Sequence, residues 1–134
     1  MNVPATPACR LLVIDDEAIV GKRLKQVFTK VGFAVETFTD PAAAIEAMEN
    51  SPVDIVVTDL KMDAMDGIEV LKRAKAINPD CRVIIITGYA SVETAELAQE
   101  NGVFSFLAKP FRLDELKQLI AEALASIEQE RQGG

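Results

Sequence analysis

Short apolar, β-branched runs alternate along the chain with longer stretches in which apolar residues return every three or four positions. The first kind reads as buried strand, the second as amphipathic helix. Leu11–Asp15 is a strand closing on an acid, and a helix follows from about Ala18 to Val31. Ile19, Leu24, Val27, Phe28 and Val31 are expected on its buried face, and Gly32 suits the left-handed residue past its end. Ala34–Phe38 is the second strand, after which Asp40-Pro41 gives a cap and a first-turn proline to a helix reaching about Met48.

Val53–Asp59 is the third strand and again ends in an acid. Asp66-Gly67 precedes a helix over Ile68–Ile77, which Asn78-Pro79 stops. Arg82–Thr87 is the fourth strand, and Ser91 caps a helix from Val92 to Asn101 with Gly102 behind it. Val103–Ala108 is the fifth strand. Leu113–Gln129 is the last helix, with Leu116, Leu119, Ile120, Leu124 and Ile127 on one stripe. Residues 1–9 are expected to be an N-terminal extension, 10–129 the folded domain and 130–134 a frayed, disordered tail. Five strand–helix units in series predict an α/β fold: a five-stranded parallel sheet, helices on both faces, right-handed crossovers.

Length agrees with one domain, since 134 residues that are 49% hydrophobic suffice for one ordinary core. Charge narrows the partners. With 14 basic residues against 21 acidic ones, the net charge of −7 argues against direct nucleic-acid binding. The absence of histidine excludes Ser-His-Asp and Cys-His catalysis, His-ligated zinc and a phosphohistidine carried by this chain. Cys9 and Cys81 form neither a CxxC pair nor a disulfide framework, which suits a reducing compartment. No apolar run is long enough to cross a bilayer, and Met1–Pro7 lacks the features of a signal peptide. A cytoplasmic protein without membrane insertion is expected.

Four of the five strands end in a polar residue at or near their carboxyl edge: Asp15-Asp16, Asp59, Thr87 and Lys109. In open α/β sheets the ligand crevice lies at that edge, so residues spread over most of the chain converge on one mouth. Crowded carboxylates repel one another, and a divalent cation relieves the repulsion. Oxygen donors without histidine or thiolate favour Mg²⁺ or Mn²⁺ over zinc. The Lys109 ammonium and the Thr87 hydroxyl complete a cradle for a phosphate. Neither a Walker A loop nor GxGxxG is present, which leaves a carboxylate that accepts a phosphoryl group as the candidate for covalent chemistry.

Taken singly, each of these residues has an ordinary explanation. Acids such as Asp15-Asp16 are favoured at helix N-termini, Asp59 is a turn residue at a strand end, Thr87 is a β-former and Phe106 is plain core. Met62 and Met65 read as loop packing rather than metal ligands. Lys109, between an apolar strand and Pro110, demands a partner. Jointly, the ordinary explanations lose.

The set Asp15-Asp16, Asp59-Leu60-Lys61-Met62 with Asp66-Gly67, Thr87-Gly88-Tyr89 and Lys109-Pro110-Phe111 resembles a response-regulator receiver domain, over roughly Arg10 to Glu128. The resemblance implies a flavodoxin-like (βα)5 fold with strand order 2-1-3-4-5, the arrangement of chemotaxis receivers. It implies that Asp59 is the phosphoacceptor of a two-component phosphorelay, taking its group from a sensor histidine kinase or phosphotransfer protein. Asp16, Asp59 and the Lys61 backbone carbonyl would ligate Mg²⁺, with Asp15 helping through water. Thr87 would close on the phosphoryl oxygen, Lys109 would pair with the acyl phosphate, and Pro110 would follow a cis peptide bond. Phe106 falls at the family's rotating aromatic position. A downstream protein or a second copy would dock on the face made by the fourth helix, fifth strand and fifth helix. Ile86–Ser91 looks like receivers that precede ATPase-type transcription activators, and the chain is expected to be a stand-alone receiver or an excised one.

Two departures from the family pattern stand out. Asp63 replaces the usual proline after the methionine, and Phe106 lacks the hydroxyl of the commoner tyrosine. Lys61 and Tyr89 sit where the family tunes phosphoryl lifetime. The implied strand order also separates the strands that follow Cys9 and Cys81. Two strand spacings are roughly 10 Å, beyond the ~7 Å reach of a disulfide.

The rival reading is a Mg²⁺-dependent phosphohydrolase with an aspartyl-phosphate intermediate. The haloacid-dehalogenase-type pattern wants a second acid two residues after the nucleophile, where Asp59 has Lys61. Asp15 has Glu17 there but lacks the Thr or Val two further on, where Ile19 stands, and a cap insertion is missing. An unphosphorylated scaffold of the same fold is disfavoured by the intact acceptor set. The expected protein is therefore a signalling receiver rather than an enzyme.

Overall fold

The computed structural model describes residues 9–133. Apart from Cys9, the expected N-terminal extension lies outside the described residues, as does Gly134. The elements run β1 Arg10–Ile14, α1 Ala18–Lys30, β2 Ala34–Phe38, α2 Pro41–Asn50, β3 Ile55–Asp59, α3 Gly67–Ile77, β4 Arg82–Thr87, α4 Val92–Glu100, β5 Ser105–Ala108 and α5 Leu113–Gly133. Their number and order are as the hydrophobic pattern predicts. The strands form one parallel sheet in the order β2-β1-β3-β4-β5.

Strand alternation divides the core in two. Leu12, Ile14, Val56, Val83 and Ile85 pack with Ile45 and Met48 of α2, Ile68 and Leu71 of α3 and Ala98 of α4. Their neighbours Leu11, Val13, Ile55, Val57, Ile84 and Ile86 pack with Leu24 and Phe28 of α1 and with Leu116, Ile120 and Ile127 of α5. The chain steps from β1 outward to β2 and thereafter to the opposite side of β1. Crossovers of one hand therefore place α1 on one face and α2, α3 and α4 on the other. That reversal opens a crevice between β1 and β3 at the carboxyl edge, where strand-end side chains meet.

Local chemistry fixes the helix ends. The Asp40 carboxylate accepts from the Ala42 N–H at 3.1 Å, with Pro41 opening α2. The Asp66 carboxylate accepts from Glu69 at 2.9 Å, and Ser91 and Thr94 form a capping box at the start of α4. Gly32 and Gly102 take φ of +104° and +84° just past α1 and α4, the left-handed closure glycine permits. The second closure accounts for a boundary. The Val103 N–H returns to the Ala98 carbonyl at 3.1 Å, so β5 starts at Ser105 and not at Val103.

Three further expectations are corrected. Ile19 is 75% exposed and Val31 60% exposed, so neither belongs to the buried face of α1. Five residues turn a helix by about 500°, which leaves Ile19 about 140° away from Leu24. Gly21 takes the inner position instead, where a Cβ would stand 3.2 Å from the Thr37 Cβ of β2. Val31 lies beyond the last residue of α1, as its C-cap. Residues 130–133, expected in a frayed tail, are helical. Glu130 meets Arg82 of β4 at 3.3 Å and Arg131 meets Asp54 at 3.3 Å, which holds the last turns against the amino edge of the sheet.

Cys9 and Cys81 are free thiols, and β3 separates the strands they precede. Among the described residues no helix is long and apolar enough to cross a membrane.

Candidate functional site

Asp15 and Asp16 follow β1 directly, Asp59 ends β3, Thr87 ends β4, and Lys109 comes one residue after β5. Parallel register carries these strand ends to one edge: Asp59 pairs with Ile86, and Thr87 with Ala108. Carboxylate oxygens of Asp15, Asp16 and Asp59 all lie within 4.8 Å of one another. The Lys109 Nζ stands 3.3 Å from Asp59 Oδ2 and 3.9 Å from Asp15 Oδ2. Residues from four separate strands thus share one mouth.

The three acids differ in their surroundings. Asp16 is open to solvent, Asp59 is half-buried and Asp15 is buried. Burial pushes the Asp15 carboxyl above its usual range, and the nearby charges of Asp59 and Asp16 push the same way. The Glu17 N–H, donating to Asp15 Oδ1 at 2.8 Å, and the Lys109 ammonium oppose that rise without cancelling it. The site holds more negative charge than one lysine neutralises.

A hard divalent cation fits this donor set. Three carboxylates from two strand ends present oxygens at a spacing a single ion can bridge, and no thiol or imidazole competes among them. The partly exposed side of the cluster leaves room for the water ligands Mg²⁺ retains.

Thr87 is fully buried, and its Oγ1 accepts the Tyr89 N–H at 2.9 Å. The backbone N–H of Lys109 donates to the Thr87 carbonyl at 2.7 Å, and the Lys109-Pro110 peptide is cis. Phe106 is paired in register with Ile85 and packs against the core face of α2, α3 and α4. Strand side chains alternate, so Ile85 and Thr87 project to that same face. The hydroxyl and the aromatic ring therefore lie on one side of the sheet, on neighbouring strands. At the rim, the Lys61 Nζ lies over the exposed Tyr89 ring, 5.4 Å from its centroid, joining the loops after β3 and β4.

Asp15, Asp16, Asp59, Thr87, Lys109 and Pro110 lie at this edge, with Lys61 and Tyr89 on its rim. Phe106 stands further back along β5, and Cys9 and Cys81 precede β1 and β4 at the opposite edge. One residue of the quoted set has a contact that the sequence did not foretell. Gly67 reads in sequence as half of a turn signal, yet it is the first residue of α3 and rests on the backbone of Asp59 and Leu60. The sequence marked it as half of the Asp66-Gly67 pair before a helix, with no sign of this approach to the Asp59 backbone.

The sequence model of the response regulator receiver domain matches residues 11–121. Transcriptional regulatory protein GlrR of Escherichia coli K12 is 38% identical over 114 residues, covering 85% of this chain and 26% of GlrR. The chain thus spans about a quarter of that relative's length. Sporulation initiation phosphotransferase F of Bacillus subtilis 168 is 33% identical over 115 residues, covering 86% of this chain and 93% of that protein. Among solved structures, a CheY-like receiver domain protein from Methanospirillum hungatei JF-1 superposes with a TM-score of 0.89 at 28% identity, covering 92% of this chain and 99% of that one.

The fold, the converging strand ends and these matches place the chain in the response regulator receiver domain family. Proteins of this class are phosphorylation-activated switches of two-component signalling, and the phosphohydrolase reading is not favoured.

Proposed function

We propose that Asp59 is the phosphoacceptor and that the domain formed by residues 10–129 accepts its phosphoryl group from the phosphohistidine of a sensor kinase or phosphotransfer protein. The observation that carries this is the 3.3 Å approach of the Lys109 Nζ to Asp59 Oδ2 beside two further carboxylates. An Asp59 oxygen attacks phosphorus, the bond from phosphorus to the donor nitrogen breaks, and its electron pair leaves with the imidazole. Phosphoryl transfer demands positioning and charge neutralisation more than covalent help. Lys109 follows the developing negative charge, and the buried Thr87 hydroxyl has a proton to donate to a phosphoryl oxygen. Its lone pair holds the Tyr89 N–H, so a turn of Thr87 draws the loop after β4 with it.

Asp16, Asp59 and the Lys61 carbonyl would hold Mg²⁺, with Asp15 acting through water. When bound, the ion neutralises the phosphoryl oxygens and relieves the repulsion among the acids. Movement of Thr87 changes the space beside Phe106, and so the surface of α4, β5 and α5, where a downstream protein or a second copy would dock. Phe106 has no hydroxyl, so its alternative positions differ by packing alone. On this reading the chain is a cytoplasmic signalling receiver, not a turnover enzyme.

Acetyl phosphate with Mg²⁺ tests the assignment. One added phosphoryl group is expected on the wild type and none on Asp59→Asn; equal labelling of the two refutes it.

A further inference from the structure

Helix α3 begins closer to the acceptor's backbone than any side chain allows. A Cβ built on Gly67 would stand 2.6 Å from the Asp59 carbonyl oxygen, 2.9 Å from the Leu60 Cα and 3.3 Å from the Asp59 carbonyl carbon. All three are main-chain atoms, so no side chain can swing aside. Glycine's usual advantage is not the reason for its presence, because Gly67 has no left-handed φ. Within the helix it gives up propensity relative to alanine. What glycine supplies here is proximity.

The peptide it touches is fixed from other directions. The Thr58 hydroxyl donates to the Asp59 carbonyl at 2.9 Å. The Leu60 N–H donates to the Ile86 carbonyl of β4 at 3.0 Å, and the Gly67 N–H donates to the Leu60 carbonyl at 2.8 Å. Asp66 caps α3 through Glu69, which sets where the helix starts. A methyl group at residue 67 must therefore push the Asp59-Leu60 peptide away, or push α3 off the sheet. Moving the peptide by several tenths of an ångström shifts the Asp59 carboxylate against Lys109 and against Asp15 and Asp16.

We propose that Gly67 is a positioning residue for phosphoryl transfer, its missing side chain letting α3 seat the Asp59 peptide so that the carboxylate faces both the cation site and Lys109. The inference rests on Asp59 being the acceptor. With acetyl phosphate, an Asp59 oxygen bonds to phosphorus while the bond to the acetyl oxygen breaks, and acetate leaves with that electron pair. A misplacement near 1 Å costs such a reaction about 100-fold.

The test compares Gly67→Ala with Val70→Ala, a buried α3 substitution that loosens the core without crowding Asp59. Both are labelled with acetyl phosphate at saturating Mg²⁺, and their melting temperatures are measured alongside. Gly67→Ala should label at least about tenfold more slowly while Val70→Ala keeps the wild-type rate. Equal rates in Gly67→Ala and wild type, or rates that merely follow melting temperature in both variants, overturn the proposal. Should Gly67→Ala not fold, the comparison is repeated for all proteins in trimethylamine N-oxide, which favours the compact state. Failure to fold there makes Gly67 a folding residue and also overturns the proposal. A wild type that takes no label at Asp59 would refute the acceptor assignment, a different outcome.

Discussion

The Lys109 ammonium stands between two carboxylates, 3.3 Å from Asp59 and 3.9 Å from Asp15, although fifty residues separate it from the nearer one. A lysine so placed has two tasks, holding the acids together before transfer and following the new charge afterwards. Lys109→Ala should retain Mg²⁺ binding, since it removes no oxygen donor, and should label more slowly. Phosphorylation should no longer alter amide exchange in β5. Exchange shifts in β5 identical to wild type would contradict the second task.

Asp15 gives a pH prediction. Burial raises its carboxyl above the usual 3.8, so in the folded, metal-free protein the charged form is disfavoured. Its contribution to stability is full below the unfolded value and is lost as pH rises through the raised folded value. Asp15→Asn should therefore raise the metal-free melting temperature at neutral pH by a few degrees, and the gain should disappear in acid. The same substitution should blunt stabilisation by Mg²⁺, which for a single site at a hundredfold excess over Kd is about 2.7 kcal/mol. Calorimetry with and without Mg²⁺ across pH checks both signs.

Thr87→Val keeps the volume and removes the hydroxyl. It leaves the Tyr89 N–H without its acceptor, a cost of about 1–3 kcal/mol if water does not replace it. Phosphoryl labelling should persist while the surface of α4 and β5 stays in its unphosphorylated form. Full amide-exchange changes on labelling would show that Thr87 does not carry the switch.

Helix α1 separates sequence pattern from structure. Ile19 is 75% exposed and Ile120 of α5 is 1% exposed, though both are isoleucines in apolar-periodic segments. Ile120→Ala should cost about 2–5 kcal/mol and Ile19→Ala less than about 0.5 kcal/mol in denaturant unfolding.

That contrast marks where sequence reading succeeded. Strands such as Val83–Ile86 are buried on both faces, so an unbroken apolar run identifies them, and polar strand ends stand out against it. The site was legible because strand ends of a parallel sheet must converge. Ile19 was misplaced because an apolar residue five positions from Leu24 lies on the far side of a helix, and a glycine filled the inner place. The length of α5 depends on Arg82 and Asp54, partners more than forty residues away. Asp66-Gly67 was recognised as a pair, but the contact of Gly67 with the Asp59 backbone was not legible, because close approach of two backbones leaves no pattern of its own.

The switch depends on which carboxylate takes the phosphoryl group. The most direct measurement is borohydride reduction of the acetyl-phosphate-labelled protein, which converts an aspartyl phosphate to homoserine, followed by peptide mass spectrometry. The predicted result is homoserine at position 59 alone. Homoserine at position 15 or 16, or none anywhere in a protein that has taken up phosphate, would contradict it.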